Sequence, residues 1–477
     1  MMANNRKTCL PRGFIPIALL LTFAAQNDVT AKQGHNSKPM ELSGFSLSEA
    51  FDISDDAPLN LDAPIVKQLL YRIKRTSPKT RRKYSHYSQD LTWQDINKRT
   101  EDFRFWLLDR PAQLKKIKEY RFPNAEIDDE IRGLYVCYCE SISQNVLEEP
   151  GSDHQPFLAI SRSVPKGLPL GVEIDEEINV EGFLYARVTD SSSNSNQVLP
   201  VVIADRIAWY PTRQSNDVSP AHLELSLHGF DIGLIDQVRE NNMRPLDNRD
   251  AEAFFQVLAA VNRMEIEDQP LEASTTDSGT AVDKLVFSDL MQNSDTNFAQ
   301  SATVTGTVRT CSKVTVPFED IRNRLGVSQY YQLMLFPDLD GTEIIVKNQD
   351  GSKMGYSRFP ITVCCTELPK GMSPADLERK QFVVDGYFYR FWKYQSDNTD
   401  GKSAGQVSPL IIAKRPQLVA LSSGRLNQLL VILMMTIIAG ILLLIGAYRL
   451  ADRRRKTSSK ALPDALPAQI DLTGLDE

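Results

Sequence analysis

The sequence predicts an α+β chain, mainly β: two tandem duplicated small β-barrel bodies, OB-like or SH3-like, each preceded by a helix, plus one C-terminal transmembrane helix. Three observations predict it. Blocks of sequence recur in order: residues 164–168 (VPKGL) with 368–372 (LPKGM), and 180–185 (VEGFLY) with 384–389 (VDGYFY), both at a spacing of 204 residues, then 197–206 (QVLPVVIADR) with 406–415 (QVSPLIIAKR) at 209. The recurring blocks are aromatic and β-branched runs separated by turn residues such as Pro165-Lys166-Gly167. Residues 429–448 are twenty in a row without a charge. At about 1.5 Å per residue they match a bilayer core of about 30 Å.

The elements follow in chain order. Residues 1–31 read as a signal peptide: Arg6, Lys7 and Arg12 precede an apolar run at 14–25, and Val29-Thr30-Ala31 offers small residues for cleavage. Residues 32–61 are expected to be disordered or extended. Repeat 1, 62–211, opens with a helix capped by Asp62, with Ile65, Val66, Leu69, Leu70 and Ile73 at helical spacing, and continues as a β-body over 103–210. Residues 212–246 form a connector. Repeat 2, 247–416, has Asp247 as cap, a helix over 248–263 with the stripe Phe254, Phe255, Leu258 and Val261, a polar linker over 265–303, and a β-body over 302–415. Gln68, Leu69 and Leu70 match Gln256, Val257 and Leu258 at a spacing of 188, which draws both helices into the repeat.

Duplication makes Tyr185 equivalent to Tyr389 and Phe183 to Tyr387. It also places Pro200 and Pro409 where a strand begins, because proline cannot donate to a ladder. For each body a five-stranded OB-like barrel is preferred, with an SH3-like barrel or a sandwich as alternatives. The membrane helix, 429–448, is followed by a tail, 449–477. Arg449, Arg453, Arg454, Arg455, Lys456 and Lys460 place that tail in the cytoplasm. Thr436 and Gly440 form a small-xxx-small pair, a feature of helix homodimers.

No motif carries chemistry. The five histidines lack paired-ligand spacing, and no GxSxG, phosphate-loop or GxGxxG pattern occurs. No catalytic, metal or cofactor-binding residue is therefore assigned, and no cofactor is expected. Beyond the signal segment stand Cys137, Cys139, Cys311, Cys364 and Cys365, which read as small apolar residues of strand cores, with a Cys137–Cys139 or inter-strand disulfide as the alternative. Aromatic residues and arginines alternate along two matching strands, so half of them face outward. Tyr185, Arg187, Tyr389, Arg390 and Trp392 are the candidate binding face. The basic run 72–82 (RIKRTSPKTRR) reads as a solvated surface open to an acidic polymer or to membrane headgroups. The chain is acidic, with net charge −7 and pI about 5.5, and no nucleic-acid partner is expected.

Residues 230–264 (FDIGLIDQVRENNMRPLDNRDAEAFFQVLAAVNRM), with the PKG blocks, resemble the signal-peptide-plus-transmembrane envelope proteins of planctomycete bacteria. The resemblance implies a bacterial envelope address and no particular activity. The expected function is a membrane-tethered, non-enzymatic binding or scaffold protein of the cell envelope, single-pass, with its domains exported. Its partners are the membrane and a protein or polymer of the envelope. The alternative is an envelope enzyme acting on a polymer.

Overall fold

Sheet predominates in the computed structural model, which describes residues 42, 44, 45, 53–123, 131–142, 154–190, 197–265, 289, 290, 296–337, 344–347, 353–356, 359–394, 406–419 and 423–458. The signal segment 1–31, most of 32–52 and of the linker 265–303, and the tail beyond 458 lie outside the described residues. The chain divides into two units, one reaching Leu418 and one that holds the C-terminal helix.

The first unit holds two six-stranded sheets. The first contains β1 (Ala57–Pro58), β2 (Leu107–Arg121), β3 (Gly133–Ser141), β4 (Pro156–Ser163), β5 (Glu173–Asp190) and β6 (Gln197–Tyr210), in the order β1-β5-β2-β3-β4-β6. Because β5 also pairs with β6, strands β2 to β6 form a closed circuit. The second contains β7 (Ser301–Thr315), β8 (Gln329–Phe336), β11 (Ile361–Cys365), β12 (Gln381–Tyr394), β13 (Gln406–Ala413) and β14 (Gln417–Leu418), in the order β13-β11-β8-β7-β12-β14, closed by a β12–β13 pairing. A separate hairpin, β9 (Ile344–Lys347) and β10 (Lys353–Tyr356), lies between β8 and β11 in sequence.

The two circuits share one register. Leu107 pairs with Phe183; adding 194 and 204 gives Ser301 and Tyr387, which pair. Ile117 pairs with Cys137; adding 194 and 196 gives Cys311 and Leu333, which pair. The parallel pair Leu158–Val201 becomes Thr362–Leu410 by adding 204 and 209. Two bulges coincide too, at Leu114/Lys116 with Val308/Thr310 and at Leu184/Ala186 with Phe388/Arg390. Tyr185 and Tyr389 thus stand at equivalent bulges, as the recurring blocks require. Pro200 and Pro409 also correspond, but not at strand starts. Each lies three residues inside its strand, paired with Arg187 or Phe391, one residue before the parallel neighbour joins. A position with one strand neighbour tolerates a missing N–H.

Gly182 and Gly386 are held by close backbone approach. A Cβ at Gly182 would run into the carbonyl of Ile203, and one at Gly386 into that of Ile412. Gly182→Ala and Gly386→Ala are each expected to cost about 1–3 kcal/mol through overpacking. Urea unfolding checks this, and losses below about 0.5 kcal/mol would remove the close-approach account.

The correspondence reaches a segment ahead of each helix. Asp56 and Met243, 187 residues apart, both have left-handed φ, at 63° and 62°. The N–H of Asp56 donates to the carbonyl of Arg187 at 2.9 Å, and that of Met243 to Phe391 at 3.0 Å. The Arg187 N–H donates to Asp55 at 2.8 Å, and the Phe391 N–H to Asn242 at 3.0 Å. Residues 53–61 are therefore ordered as part of the first body. Residues 241–245, placed by the sequence reading in the connector, belong to the second.

Helix α1 (Pro64–Arg75) starts with proline at its first position and ends on Arg72, Lys74 and Arg75, which suit the helix dipole. It buries Val66, Leu69, Leu70 and Ile73 against the outer side of β5 and β6. Asp62 does not cap it; that carboxylate accepts the Tyr120 hydroxyl at 2.6 Å. Helix α2 (Pro78–Ser85) is capped by Ser77, whose side chain accepts from the Thr80 N–H. The connector carries helices α3 (Pro220–Leu227) and α4 (Ile235–Glu240), because its apolar residues pack: Leu225, Phe230, Ile232 and Val238 join the main core. Helix α5 (Ala251–Arg263) begins three residues later than expected from Asp247 and packs on β13. Helix α6 (Glu319–Leu325) follows β7. The main core runs without a break from Leu114, Phe157 and Val202 inside the first circuit to Leu333, Val363 and Ile411 inside the second.

His222 is buried in α3. Its Nδ1 accepts from the Ser219 N–H at 3.3 Å, and its Nε2 donates to the carbonyl of Phe298 at 2.9 Å. Burial lowers its pKa from 6.5, so the folded chain holds it neutral. The unfolded chain then binds more protons at acidic pH. Its contribution to stability is full above about pH 6.5 and declines as pH falls below it. The urea midpoint is expected to drop between about pH 8 and pH 5.5, less so in His222→Gln. Equal slopes in both proteins would contradict this.

The second unit is helix α7 (Ser423–Ser458). Residues Val431–Arg453 are long and apolar enough to cross a membrane, at mean hydropathy 2.6. The Thr436 hydroxyl donates to the Leu433 carbonyl at 2.7 Å within its own helix.

Candidate functional site

The candidate binding face of Tyr185, Arg187, Tyr389, Arg390 and Trp392 is not a face. Period two sends one row of side chains inward and one outward, and helices cover the outward row. Tyr185 lies under α1 in the cluster of Leu69 and Leu70. Tyr389 meets Phe254 of α5 edge-on at 5.8 Å, and its hydroxyl donates to the Asp250 carbonyl at 3.4 Å. Arg390 is wholly buried. Arg187 is half-buried, donating to the Asn97 carbonyl and paired with Asp56. Trp392, also half-buried, donates its indole N–H to Thr362 at 3.1 Å. The five residues fall into two bodies and hold helices, loops or a neighbouring strand.

Burial also settles the described cysteines. All five are free; Cys137, Cys139, Cys364 and Cys365 are buried and Cys311 half-buried. Burial pushes the Cys137 thiol up to about 12, far from a reactive thiolate. Among the described residues no group of three His, Cys, Asp or Glu is placed to hold a metal ion.

The charged residues that converge are others. A cleft of 580 Å³ lies where the first circuit meets the helices of the second body. One wall comes from β2, β5 and β6, with Asp109, Asn179, Glu181, Asp205, Arg206 and Tyr210, and from the end of α1, the turn after it and α2, with Lys74, Thr76, Arg81 and Arg82. The facing wall supplies Asp231, Gln237, Asn248, Arg249, Glu252 and Arg324.

Ion pairs cross it. Arg82 donates to Glu252 at 2.6 Å and to Asp320 at 2.8 Å, clamping α2 to α5 and α6. Arg324 reaches the same Glu252 at 2.7 Å. Burial opposes the charge on Glu252, yet Arg324 and Arg82 together hold its carboxyl below the ordinary range. Arg206 pairs with the fully buried Asp231 at 2.5 Å, and Asp231 also accepts the Trp209 N–H at 2.8 Å. Arg81 pairs with Glu181 at 2.9 Å. Glu181 is still shifted up, by burial first and by Asp109, its partner across the β2–β5 ladder; Arg81 only partly offsets this. Asp109 accepts from Asn179 at 2.5 Å.

Sequence reading missed this site because its partners are far apart in the chain. Arg82 lies 170 residues from Glu252 and 238 from Asp320. The one local signal was the basic run 72–82, and it was half informative: Arg81 and Arg82 turn inward, while Arg75 and Lys79 stay exposed.

No family model and no curated protein matches the sequence. Solved structures with some likeness include the small single-stranded DNA-binding protein of Streptomyces coelicolor (11% identity, TM-score 0.15, covering 25% of this chain and 93% of that one). Others are the single-stranded DNA binding protein of Thermus aquaticus (9%, TM-score 0.14, 66% and 94%) and fission yeast Pot1 with ssDNA (12%, TM-score 0.14, 67% and 81%). The expected exclusion of a nucleic-acid partner is withdrawn on this finding. It rested on net charge, a whole-chain sum that says nothing of a local face. TM-scores this low carry no argument about what this chain itself binds.

Proposed function

We propose that the chain is a membrane-tethered, non-enzymatic binding or scaffold protein of the cell envelope. In this reading two OB-like barrels, copies of one duplicated unit, are carried as a rigid pair outside the membrane by a single C-terminal span. The common register, bulges and pre-helix segment support duplication, since independent origins would not reproduce them with one fixed offset in each strand. The strand order supports an OB-like barrel over an SH3-like one: numbering each circuit's strands 1 to 5 gives 1-2-3-5-4-1, with strands 3 and 5 parallel. The cations that follow the apolar helix support a cytoplasmic tail.

The observation that carries the binding reading is the cleft. Arg82 and Arg206 hold Glu252 and Asp231 across it, so these carboxylates are committed to fixing two walls at a set distance. A fixed polar cleft suits recognition. One observation favours the second reading, an envelope enzyme acting on a polymer: the raised Glu181 carboxyl opposite Asp109.

Tethering is tested by fractionation. The full chain is expected in membranes, released only by detergent, and a chain ending at Val419 in the soluble fraction. Protease added outside spheroplasts is expected to digest the bodies and spare the tail. A truncated chain that stays in membranes, or a digested tail with protected bodies, contradicts the tether or its orientation.

A further inference from the structure

We propose that the exposed cationic ridge formed by the last turn of α1 and by α2, together with the cleft beside it, binds a strand of anionic polysaccharide. This deepens the binding-module reading and rests on it.

The ridge is unusual in composition. Residues 64–85 contain eight Lys or Arg and no Asp or Glu, in a chain whose net charge is −7. The fold sorts these cations. Arg81 and Arg82 turn into the cleft and meet carboxylates. Arg75, Lys79 and Lys83 stay exposed, without a carboxylate partner among the described residues. Arg75 lies over the ring of Tyr71, itself exposed, at 4.1 Å from its centroid. Lys79 and Lys83 are four apart on α2, a spacing at which like charges repel on a helix. Surfaces ordinarily intersperse both signs; a bound anion relieves the repulsion here.

The cleft decides which anion. Lys74, Thr76 and Pro78 belong both to the ridge and to the lining of the 580 Å³ cleft, so the two are continuous. A planar layer of lipid headgroups meets the ridge but does not enter a cleft. A polymer strand reaches both. Inside, the amides of Asn179, Gln237 and Asn248 and the exposed carboxylate of Asp109 offer donors and acceptors together. Sugar hydroxyls, each donor and acceptor, match that lining, while carboxylates or sulfates on the same strand match Arg75, Lys79 and Lys83.

The test uses the full chain in phosphatidylcholine nanodiscs, with polygalacturonate as probe, against oligothymidine and phosphatidylglycerol vesicles. Polygalacturonate is expected to bind in a salt-sensitive way. Lys79→Gln/Lys83→Gln is expected to weaken binding roughly thirtyfold, about fivefold for each lysine. Asn248→Leu is expected to weaken it without changing its salt dependence, and all variants are expected to keep the parent melting temperature. Absence of polygalacturonate binding, unchanged affinity in both variants, or tighter binding to oligothymidine or to the vesicles overturns the proposal. Fractionation decides the tether independently of these results. Size-exclusion chromatography of the polymer after incubation separates the two readings. Shortened chains would leave the surface standing and overturn the non-enzymatic one.

Discussion

Arg390→Ala is expected to cost about 3–5 kcal/mol, because it strands a buried carboxylate. Arg390 is fully buried on β12. Its Nη2 donates to Asp250 at 2.8 Å and to the carbonyl of Pro245 at 3.2 Å. Its Nη1 donates to the carbonyls of Asn241 at 2.7 Å, Arg244 at 2.8 Å and Phe391 at 3.0 Å. One guanidinium thereby pins the 241–245 segment and the start of α5 to the sheet. Removing it leaves Asp250, whose side chain is 4% exposed, without its counter-charge, and four carbonyls short of a donor. Lysine places one point of charge where a planar fork spans several acceptors, so Arg390→Lys is expected to recover only part of the loss. Pairing Arg390→Ala with Asp250→Asn is expected to cost less than the sum of the two single changes. Urea unfolding measures all of these. A loss under about 1 kcal/mol for Arg390→Ala would mean that the segment is held by its backbone pairing alone.

The first body meets the same demand from another position. Ala186 stands where the second body has Arg390, and Arg104 supplies the guanidinium. It donates to the carbonyls of Tyr185 and Ile53 at 3.1 Å and to Asp55 at 2.6 Å. A recurrence search sees only the mismatch of alanine with arginine at this position. That is why the match of Asp56-Ala57-Pro58-Leu59 to Met243-Arg244-Pro245-Leu246 went unread, one residue out of step with the helix offset of 188.

Legibility of the rest follows the same physics. Strands with unbroken aromatic, β-favouring runs were readable: 330–336 falls within Gln329–Phe336, and 133–139 within Gly133–Ser141. β2 was not, because the bulge at Leu114/Lys116 breaks its period. The buried residues run Ala112, Leu114, Ile117, and charged side chains fill the gaps. The aromatic rows were found, but their role was not. Alternation tells which side chains share a face, while the helix covering that face lies more than a hundred residues earlier in the first body. The cleft was illegible for a further reason: its ion pairs are tertiary meetings of charges far apart in the chain, and charges read without their partners ordinarily mean solvated surface.

Leu70→Ala and Leu258→Ala carry the other large effect, each expected to cost about 2–5 kcal/mol. Both leucines are 0% exposed, 188 residues apart, and each belongs to the helix that roofs its own circuit. Similar losses at the two sites are expected from the shared register, since truncation removes the same methyl groups from matching positions. The clusters nevertheless differ. Leu70 lies in the satellite cluster between α1 and the outer side of the first circuit, whereas Leu258 lies in the core that runs through both. With no shared side chain, the two losses are expected to add within about 0.5 kcal/mol in the double variant. Leu258→Ala is also expected to shift one transition for both bodies, because its core has no boundary at which one body can melt first. A split melting curve, or a double loss well short of the sum, would show that the bodies unfold as separate domains, and the cleft between them could not then be a fixed site.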